Sequence, residues 1–321
     1  MIQKPLLREE LFELSIVKTT SMKTIRIIVP AILLLTVVLA DLTSAQNKPV
    51  PSRNIYLPPV SENVTTDKLG RVTAVPEKKQ VPCPRQKKRT AVILTFGQSN
   101  SANFAVQPYK SEHGRRVLNL FEGRCYIASS PLLGANGTWG ESWTLLGNLL
   151  IQNRVFDNVI IVATGIGATS VAQWAEGGKL NPLLLETVAN VTKAKYKFTH
   201  LLWHQGEADT KSTEQDYTPR FLSMLGSLRK QGVNAPIFVS VANANAADSK
   251  NWNPDLPVRK AQRNLVDAAV CIYAGVDTDI LILKDARYRG HFNKIGQEKF
   301  ANSWLTLITD YQLHRKKPAC Q

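Results

Sequence analysis

The chain has 321 residues, 44% of them hydrophobic, and carries a formal net charge of +15. A chain of this length and hydrophobic content can form one hydrophobic core of ordinary size and is not clearly enough for two. The positive charge favours contact with anionic polymers or surfaces. No basic patch is interleaved with aromatic residues, which argues against nucleic-acid binding.

Residues 22–45 have the pattern of a secretory signal peptide. A short basic start at Met22 precedes an apolar run over 27–40, and Thr43, Ser44 and Ala45 supply small residues for cleavage. The apolar run is shorter than the ~20 residues of a membrane-spanning helix. We therefore expect a secreted or periplasmic protein with no stable membrane anchor after cleavage. Residues 1–21 precede a good signal sequence and are expected to be a non-native upstream extension.

Residues 46–89 differ in composition from the rest of the chain. Prolines recur among charged and small residues, and no apolar periodicity is present. This composition is typical of an exposed linker or a poorly ordered arm. The folded domain is expected to occupy residues 90–321.

Short apolar segments alternate with helical patterns from Thr90 onward. The predicted strands cover residues 91–96, 159–163, 200–203, 236–241 and 279–283. The predicted helices cover residues 142–153, 182–196, 213–231, 257–269 and 294–311. Strands alternating with helices predict an α/β fold, in which a five-stranded, mainly parallel sheet is covered by helices on both faces.

The chain has four cysteines, at positions 83, 125, 271 and 320. None forms a Cys-x-x-Cys pair, so zinc binding is not expected. An even number in an exported chain favours disulfides, with three possible pairings. The entropic cost of closing the loops is similar for the three pairings, so it does not select among them. The position of Cys83 and Cys125 on either side of the first strand favours that pair.

Polar side chains follow the ends of several predicted strands. Ser99 follows the first strand, Glu207 follows the third, and Asp285 and His291 follow the last. The carboxyl ends of parallel strands meet at one edge of the sheet, where open α/β folds place their ligands. A serine, a histidine and a carboxylate at such an edge are the components of a nucleophilic hydrolase.

Several groups near this edge are candidates to stabilise an oxyanion. The amides of Asn100 and Gln205 lie close to Ser99 and Glu207 in sequence, and the glycine-rich turn 165–174 can present a backbone N–H group. That turn has no lysine, so a nucleotide-binding P-loop is not supported. The segment around Ser99 lacks the second glycine of the Gly-x-Ser-x-Gly elbow, which argues against the α/β-hydrolase fold.

Three motifs together resemble the SGNH hydrolase superfamily. They are Gly-Gln-Ser-Asn at 97–100, Trp-x-Gln-Gly-Glu at 203–207 and the late His291 before Phe-Asn. Within that superfamily the chain is similar to the sialic-acid-specific acetylesterase and carbohydrate esterase 6 group, over residues 90 to about 310. The resemblance implies a three-layer α/β/α, flavodoxin-like fold that removes O-acetyl groups from sugars. It further implies that Ser99 is the nucleophile, Gly167 and Gln205 are oxyanion groups, and His291 is the base.

The sequence departs from this superfamily at the acid. Its members usually carry aspartate three residues before the histidine, and here that residue is Tyr288. Glu207 or Asp285 is expected to replace it. We favour Glu207, because a strand end holds it, while Arg287 and Arg289 are placed to draw Asp285 away from His291.

Two tryptophans complete the predicted site. Trp143 and Trp174 fall near the predicted sheet edge and are expected either to form a sugar-stacking wall or to pack in the core.

No cofactor and no metal are expected, and the expected partner is an acetylated carbohydrate substrate. Two alternatives remain open: a non-catalytic carbohydrate-binding or surface protein with a decayed triad, and a lipase or phospholipid esterase of the same superfamily. The oligomeric state is not predicted.

Overall fold

A computed structural model describes residues 63–243, 256–314 and Cys320. The strands, in chain order, are Thr65–Thr66 (β1), Val72–Ala74 (β2), Gln80–Val81 (β3), Thr90–Gly97 (β4), Val117–Phe121 (β5), Arg124–Ile127 (β6), Asn158–Ala163 (β7), His200–His204 (β8), Ile237–Val241 (β9), Ile272–Asp277 (β10), Arg287–Tyr288 (β11) and His291–Phe292 (β12). The α-helices are Trp143–Gln152 (α1), Val171–Trp174 (α2), Asn181–Lys193 (α3), Glu214–Lys230 (α4), Pro257–Asn264 (α5), Thr278–Leu281 (α6) and Lys294–His314 (α7).

The central sheet has eight strands in the order β10-β9-β8-β4-β7-β5-β6-β3. The strands from β10 to β5 run parallel, and β6 and β3 extend one edge in antiparallel pairing. If β5 is left aside, the remaining parallel strands are β4, β7, β8, β9 and β10. Numbered 1 to 5 along the chain, they lie in the flavodoxin-like order 2-1-3-4-5. The point where the strand order reverses lies beside β4, which is where such folds bind their ligands.

Helices cover both faces of this sheet, so its central strands are apolar throughout. In β4, Val92, Leu94 and Phe96 face one cluster of buried side chains, which includes residues of α3, α4 and α5. Ala91 and Ile93 face a second cluster that includes residues of α1 and α7. The near-continuous apolar run of β4 is what a parallel strand buried on both faces requires. The three-layer α/β/α prediction is confirmed.

Two features of the predicted sheet are wrong. The sheet has eight strands rather than five, because β3, β5 and β6 also belong to it. The segment 279–283 is not a strand: its first residues belong to the helical turn α6, and the last parallel strand is β10. The carboxylate of Asp277 accepts from the N–H groups of Asp279 and Ile280, which caps this turn and ends β10. The helix predicted over 257–269 ends at Asn264.

The linker prediction fails for residues 63–89, which belong to the folded unit. β1 pairs with β2, and β3 pairs with β6 at the edge of the main sheet. A disulfide joins Cys83 to Cys125, and a second joins Cys271 to Cys320. Both the expectation of disulfides and the favoured pairing are confirmed. The predicted signal peptide, the upstream extension and residues 46–62 lie outside the described residues.

Within the described part of the chain, no helix is both long enough and apolar enough to cross a membrane.

Candidate active site

The turn after β4 presents Ser99 to solvent. Ser99–Ser101 form a short 3₁₀ turn, in which the N–H of Ala102 donates to the carbonyl of Ser99 at 2.9 Å. Ser99 is half-buried while both residues that flank it are buried. Its own N–H has no acceptor among the described residues. The hydroxyl and the N–H of Ser99 are therefore both available at the end of the strand.

Gly97 makes this turn possible. Its φ is +124°, and a Cβ there would lie 2.0 Å from the carbonyl oxygen of His204 in β8. Only glycine combines this backbone conformation with so close an approach. The ends of β4 and β8 consequently lie side by side.

The serine turn and the β8 loop are also joined by hydrogen bonds between the two sequence motifs. The side-chain oxygen of Gln98 accepts from the N–H groups of Gly206 at 3.3 Å and Ala208 at 3.1 Å. Asn100 Nδ2 donates to Glu207 Oε1 at 2.9 Å. The two motifs thus form one structural unit at the carboxyl edge of the sheet.

An open pocket of about 450 Å³ lies over this unit. It is lined by Gln98, Ser99, Phe104, Asn136, Gly167, Ala168, Glu207, Ala208 and His291. The pocket brings together Ser99, Gly167, Glu207 and His291, which the sequence placed at one site. Asn100, Gln205, Asp285, Trp143 and Trp174 do not line it.

His291 reaches the pocket from the β11–β12 hairpin. The two-residue turn has positive φ at Arg289 (50°) and Gly290 (85°), as a type I′ hairpin turn requires. His291 stacks on Phe104 with ring centroids 5.3 Å apart. Arg287 secures the hairpin by donating to the carbonyls of Ile282 and Gly290, both at 2.9 Å. The imidazole is thereby held in a defined position.

The electrostatic environment favours a neutral His291. Burial lowers the pKa of its imidazole below the ordinary value, Glu207 opposes this shift, and Arg287 adds to it. A neutral imidazole at neutral pH is what a general base needs.

The structure separates the two candidate acids. Glu207 lines the pocket, and its buried Oε2 has no hydrogen-bond partner among the residues that the structure describes. Asp285 is exposed and lies outside the pocket lining. Glu207 acts on His291 through its charge but does not hydrogen-bond to it among the described contacts. Hydrogen bonds in catalytic sites are often long without substrate and tighten in the reacting complex.

Neither side-chain amide predicted to bind the oxyanion points to the pocket. Gln205 is fully buried, and its Nε2 donates to Asp209 Oδ2 and to the carbonyl of Thr169. Tyr217 donates to its Oε1 at 3.1 Å. The amide nitrogen of Asn100 is engaged by Glu207. Neither amide lines the pocket: Gln205 is engaged in the core, and Asn100 bonds to the pocket residue Glu207.

The two tryptophans lie in the core and form no sugar-stacking wall. Trp143 is 1% exposed, and its indole N–H donates to the carbonyl of Ser101 at 2.9 Å. Trp174 is fully buried against Phe96 and Trp203. Of the two possibilities left by the sequence, core packing is the correct one.

Asn136 is a pocket residue that the sequence analysis missed. Its Oδ1 accepts from the N–H of Gly167 at 3.3 Å, and its Nδ2 donates to the carbonyls of Leu69 and Gly70 at 3.0 and 3.1 Å. It therefore connects the β1–β2 arm to the glycine turn. Asn136 lies in the loop 129–140, which contains three glycines, and no sequence pattern there singles out this asparagine.

No group of three or more His, Cys, Asp or Glu side chains in the described ranges could hold a metal ion. The pocket instead has the parts of serine-dependent acyl transfer, namely a hydroxyl, a neutral imidazole, a carboxylate and backbone N–H groups.

Comparison with known proteins agrees with this chemistry. The sequence profile of the family described as carbohydrate esterase, sialic acid-specific acetylesterase matches residues 89–308. A comparison with curated proteins found no match.

A solved structure shares the fold. A protein from Arabidopsis thaliana is 18% identical with a TM-score of 0.54, and the match covers 69% of this chain and 98% of that chain. NanS is 15% identical with a TM-score of 0.47, and the match covers 70% of this chain and 98% of NanS. A carbohydrate acetylesterase from Xanthomonas citri is 13% identical with a TM-score of 0.44, and the match covers 69% of this chain and 56% of that chain. Since the family profile spans more than half of the sequence, the chain belongs to the carbohydrate esterase, sialic acid-specific acetylesterase family and is a carboxylic ester hydrolase.

Proposed function

We propose that this protein is an exported serine esterase that removes O-acetyl groups from a carbohydrate. The observation that carries the proposal is the single pocket in which Ser99, His291 and Glu207 meet. Each comes from a different part of the chain, after β4, within β12 and after β8. A shared pocket at the strand-order reversal is the expected place for catalysis in this fold.

In this proposal Ser99 Oγ attacks the carbonyl carbon of the acetyl ester while His291 accepts the hydroxyl proton. The tetrahedral intermediate collapses, His291 returns the proton to the departing sugar oxygen, and an acetyl group remains on Ser99. Water then attacks the acetyl-serine with His291 again acting as base, which releases acetate and restores the Ser99 hydroxyl.

Backbone N–H groups stabilise the oxyanion in this mechanism. The N–H of Ser99 has no other acceptor among the described residues. Gly167 lines the same pocket, and its N–H donates to Asn136 Oδ1 through a long bond of 3.3 Å. Donors held in place before the reaction stabilise developing negative charge at little reorganisation cost.

Glu207 is the orienting acid in this scheme. It shares the pocket with His291 and favours the charged imidazole electrostatically, which is the role of a triad carboxylate. Asn100 fixes one of its oxygens and leaves Oε2 to interact with the histidine.

The substrate class and the location are argued from separate observations. The family described for residues 89–308 supports an acetylated carbohydrate. The signal-like residues 22–45 support export, and the two disulfides are compatible with an oxidising compartment.

Acetate release tests the proposed activity. Mature protein is incubated with p-nitrophenyl acetate and with acetylated xylan, and Ser99→Ala is compared with Ser101→Ala. Ser101 lies in the same turn, and its buried Oγ has no hydrogen-bond partner in the described ranges, so its removal is expected to leave the rate unchanged. Loss of activity in Ser99→Ala alone supports the proposal. A wild type that binds acetylated polymer without releasing acetate would support the non-catalytic alternative.

A further inference from the structure

The amino edge of the sheet, opposite the pocket, carries a row of cations. The parallel strands β8, β4, β7 and β5 are neighbours in that order, so the loops that precede them lie side by side. Each of these loops contains exposed lysine or arginine side chains. The basic edge consists of Lys87, Lys88, Arg89, Arg115, Arg116, Arg154, Lys195 and Lys197.

Hydrogen bonds between the loops make the basic edge one surface. Gln86 exchanges two hydrogen bonds with the backbone of Lys197, at 2.9 and 2.8 Å. Arg89 donates to the carbonyl of Arg154 at 2.7 Å, and Arg116 donates to the carbonyl of Asp157 at 3.0 Å. These bonds join four loops from distant parts of the sequence, so the cations of the four loops lie along one surface.

Few carboxylates offset this charge. Asp157 pairs with Arg89 at 3.0 Å, and Glu112 precedes Arg115 in its loop. Among the described residues, Lys88, Arg154 and Lys195 form no ion pair, and all three are exposed. A row of like charges without counter-charges attracts polyanions over roughly a Debye length, about 8 Å at physiological salt.

The aromatic residues of these loops argue for a sugar polymer rather than a nucleic acid. Phe156 and Tyr196 are 5% and 4% exposed. Phe198, in the loop before β8, is half-buried and packs against the core, so none of the three rings is fully exposed. Single-stranded nucleic acids are usually held by exposed aromatic rings on which bases stack. The basic edge offers charge alone, which suits the carboxylate groups of an acidic polysaccharide.

We propose that the basic edge binds an acidic polysaccharide and anchors the protein to it. β4 runs from this edge to Ser99 over eight residues, roughly 25 Å at the usual rise of a strand. A polymer bound at the amino edge therefore leaves the pocket open to acetylated chains. This binding does not depend on the proposed catalysis.

Binding to sodium polygalacturonate in about 0.15 M salt tests the proposal, with duplex DNA and phosphatidylserine vesicles as alternative polyanions. The basic-edge variant combines Lys88→Gln, Arg154→Asn and Lys195→Asn; asparagine tolerates the positive φ of the last two positions. The control variant also removes three exposed cations, but outside the basic edge. It combines Lys179→Gln in the loop before α3, Arg220→Gln in α4 and Lys260→Gln in α5. Thermal unfolding and p-nitrophenyl acetate hydrolysis check that both variants fold.

We expect the basic-edge variant to bind polygalacturonate roughly tenfold or more weakly, and the control variant to stay within about twofold of wild type. Equal losses in the two variants would show that net charge, and not this surface, is responsible, and would overturn the proposal. Absence of binding by the wild type, or tighter binding to DNA or vesicles than to polygalacturonate, would also overturn it.

Discussion

Asn100 Nδ2 donates to Glu207 Oε1 at 2.9 Å and joins the serine turn to the carboxylate of the β8 loop. Within the described part of the chain, Glu207 Oε2 has no hydrogen-bond partner, and it lies in a pocket that Glu207 shares with His291. An unpartnered carboxylate oxygen in a buried position costs stability. Its presence beside the histidine is explained if that oxygen orients and stabilises the imidazolium during the reaction.

Glu207→Gln should lower kcat by roughly 10²–10⁴-fold with little change in KM, because the variant loses the charge that stabilises the imidazolium. Glutamine still accepts from Asn100, so the turn should stay intact. Asp285→Asn is the matched control and should be close to wild type, since Asp285 is exposed outside the pocket. Steady-state kinetics on p-nitrophenyl acetate measure both variants. The reverse order of effects would assign the acid to Asp285.

Tyr288→Asp should restore activity to the Glu207→Gln variant by about tenfold or more. Tyr288 pairs directly with His291 across the β11–β12 hairpin, so an aspartate there lies on the same face as the imidazole.

Arg289→Asp is the control for this rescue. Arg289 lies at the turn with φ of 50° and is exposed, so a carboxylate there should not restore the rate. Equal rescue by both substitutions would show that a general change in charge, and not the cross-strand position, is responsible.

The pH profile gives a third test. Catalysis requires neutral His291, so kcat/KM should fall as the pH drops through a pKa that burial holds below the ordinary histidine value. Glu207 raises that pKa, and Glu207→Gln should therefore move the acidic limb to still lower pH. The residual hydrolysis of p-nitrophenyl acetate reports the shift. Movement of the limb to higher pH would place the titrating group elsewhere.

Asn136→Ala should lower kcat roughly tenfold with a smaller effect on KM, because Gly167 would lose the side chain that positions its N–H. Gly70→Ala should act in the same direction, since its φ is +70° and its Cβ would lie 2.4 Å from Asn136 Nδ2. Thr73→Ala is the control, because the one hydrogen bond of the Thr73 hydroxyl among the described residues is to the carbonyl of Thr65 in the same arm. If Asn136→Ala changes only thermal stability, Asn136 has no role in positioning the oxyanion donor.

The main parts of the site were predictable from the sequence because they lie at strand ends. Ser99 and Glu207 follow β4 and β8, parallel neighbours whose carboxyl ends meet at one edge of the sheet. His291 enters the same pocket from the antiparallel β11–β12 hairpin. Gln205 gives the same sequence signal as Glu207, yet it is buried beneath the pocket. Gly206, with φ of +151°, separates the two residues, and sequence alone does not show which one turns toward the pocket.

Other features depend on contacts between distant residues. Asn136 reaches the site through bonds to Gly70 and Gly167, and no local pattern encodes that pairing. β3 joins the sheet by pairing with β6, so a proline-rich segment that looks like a linker becomes an edge strand. The apolar run at 279–283 is compatible with a strand or a helix. The Asp277 side chain caps the first N–H groups of the turn and thereby stabilises the helical conformation.

Mapping the covalent site tests the central claim most directly. The mature protein is treated with a serine-directed phosphonate, and the modified peptide is identified by mass spectrometry alongside Ser99→Ala. We expect a single label at Ser99 in the wild type, loss of esterase activity in step with labelling, and no label in the variant. Labelling of another serine, or full activity in Ser99→Ala, would contradict the assignment of Ser99 as the nucleophile.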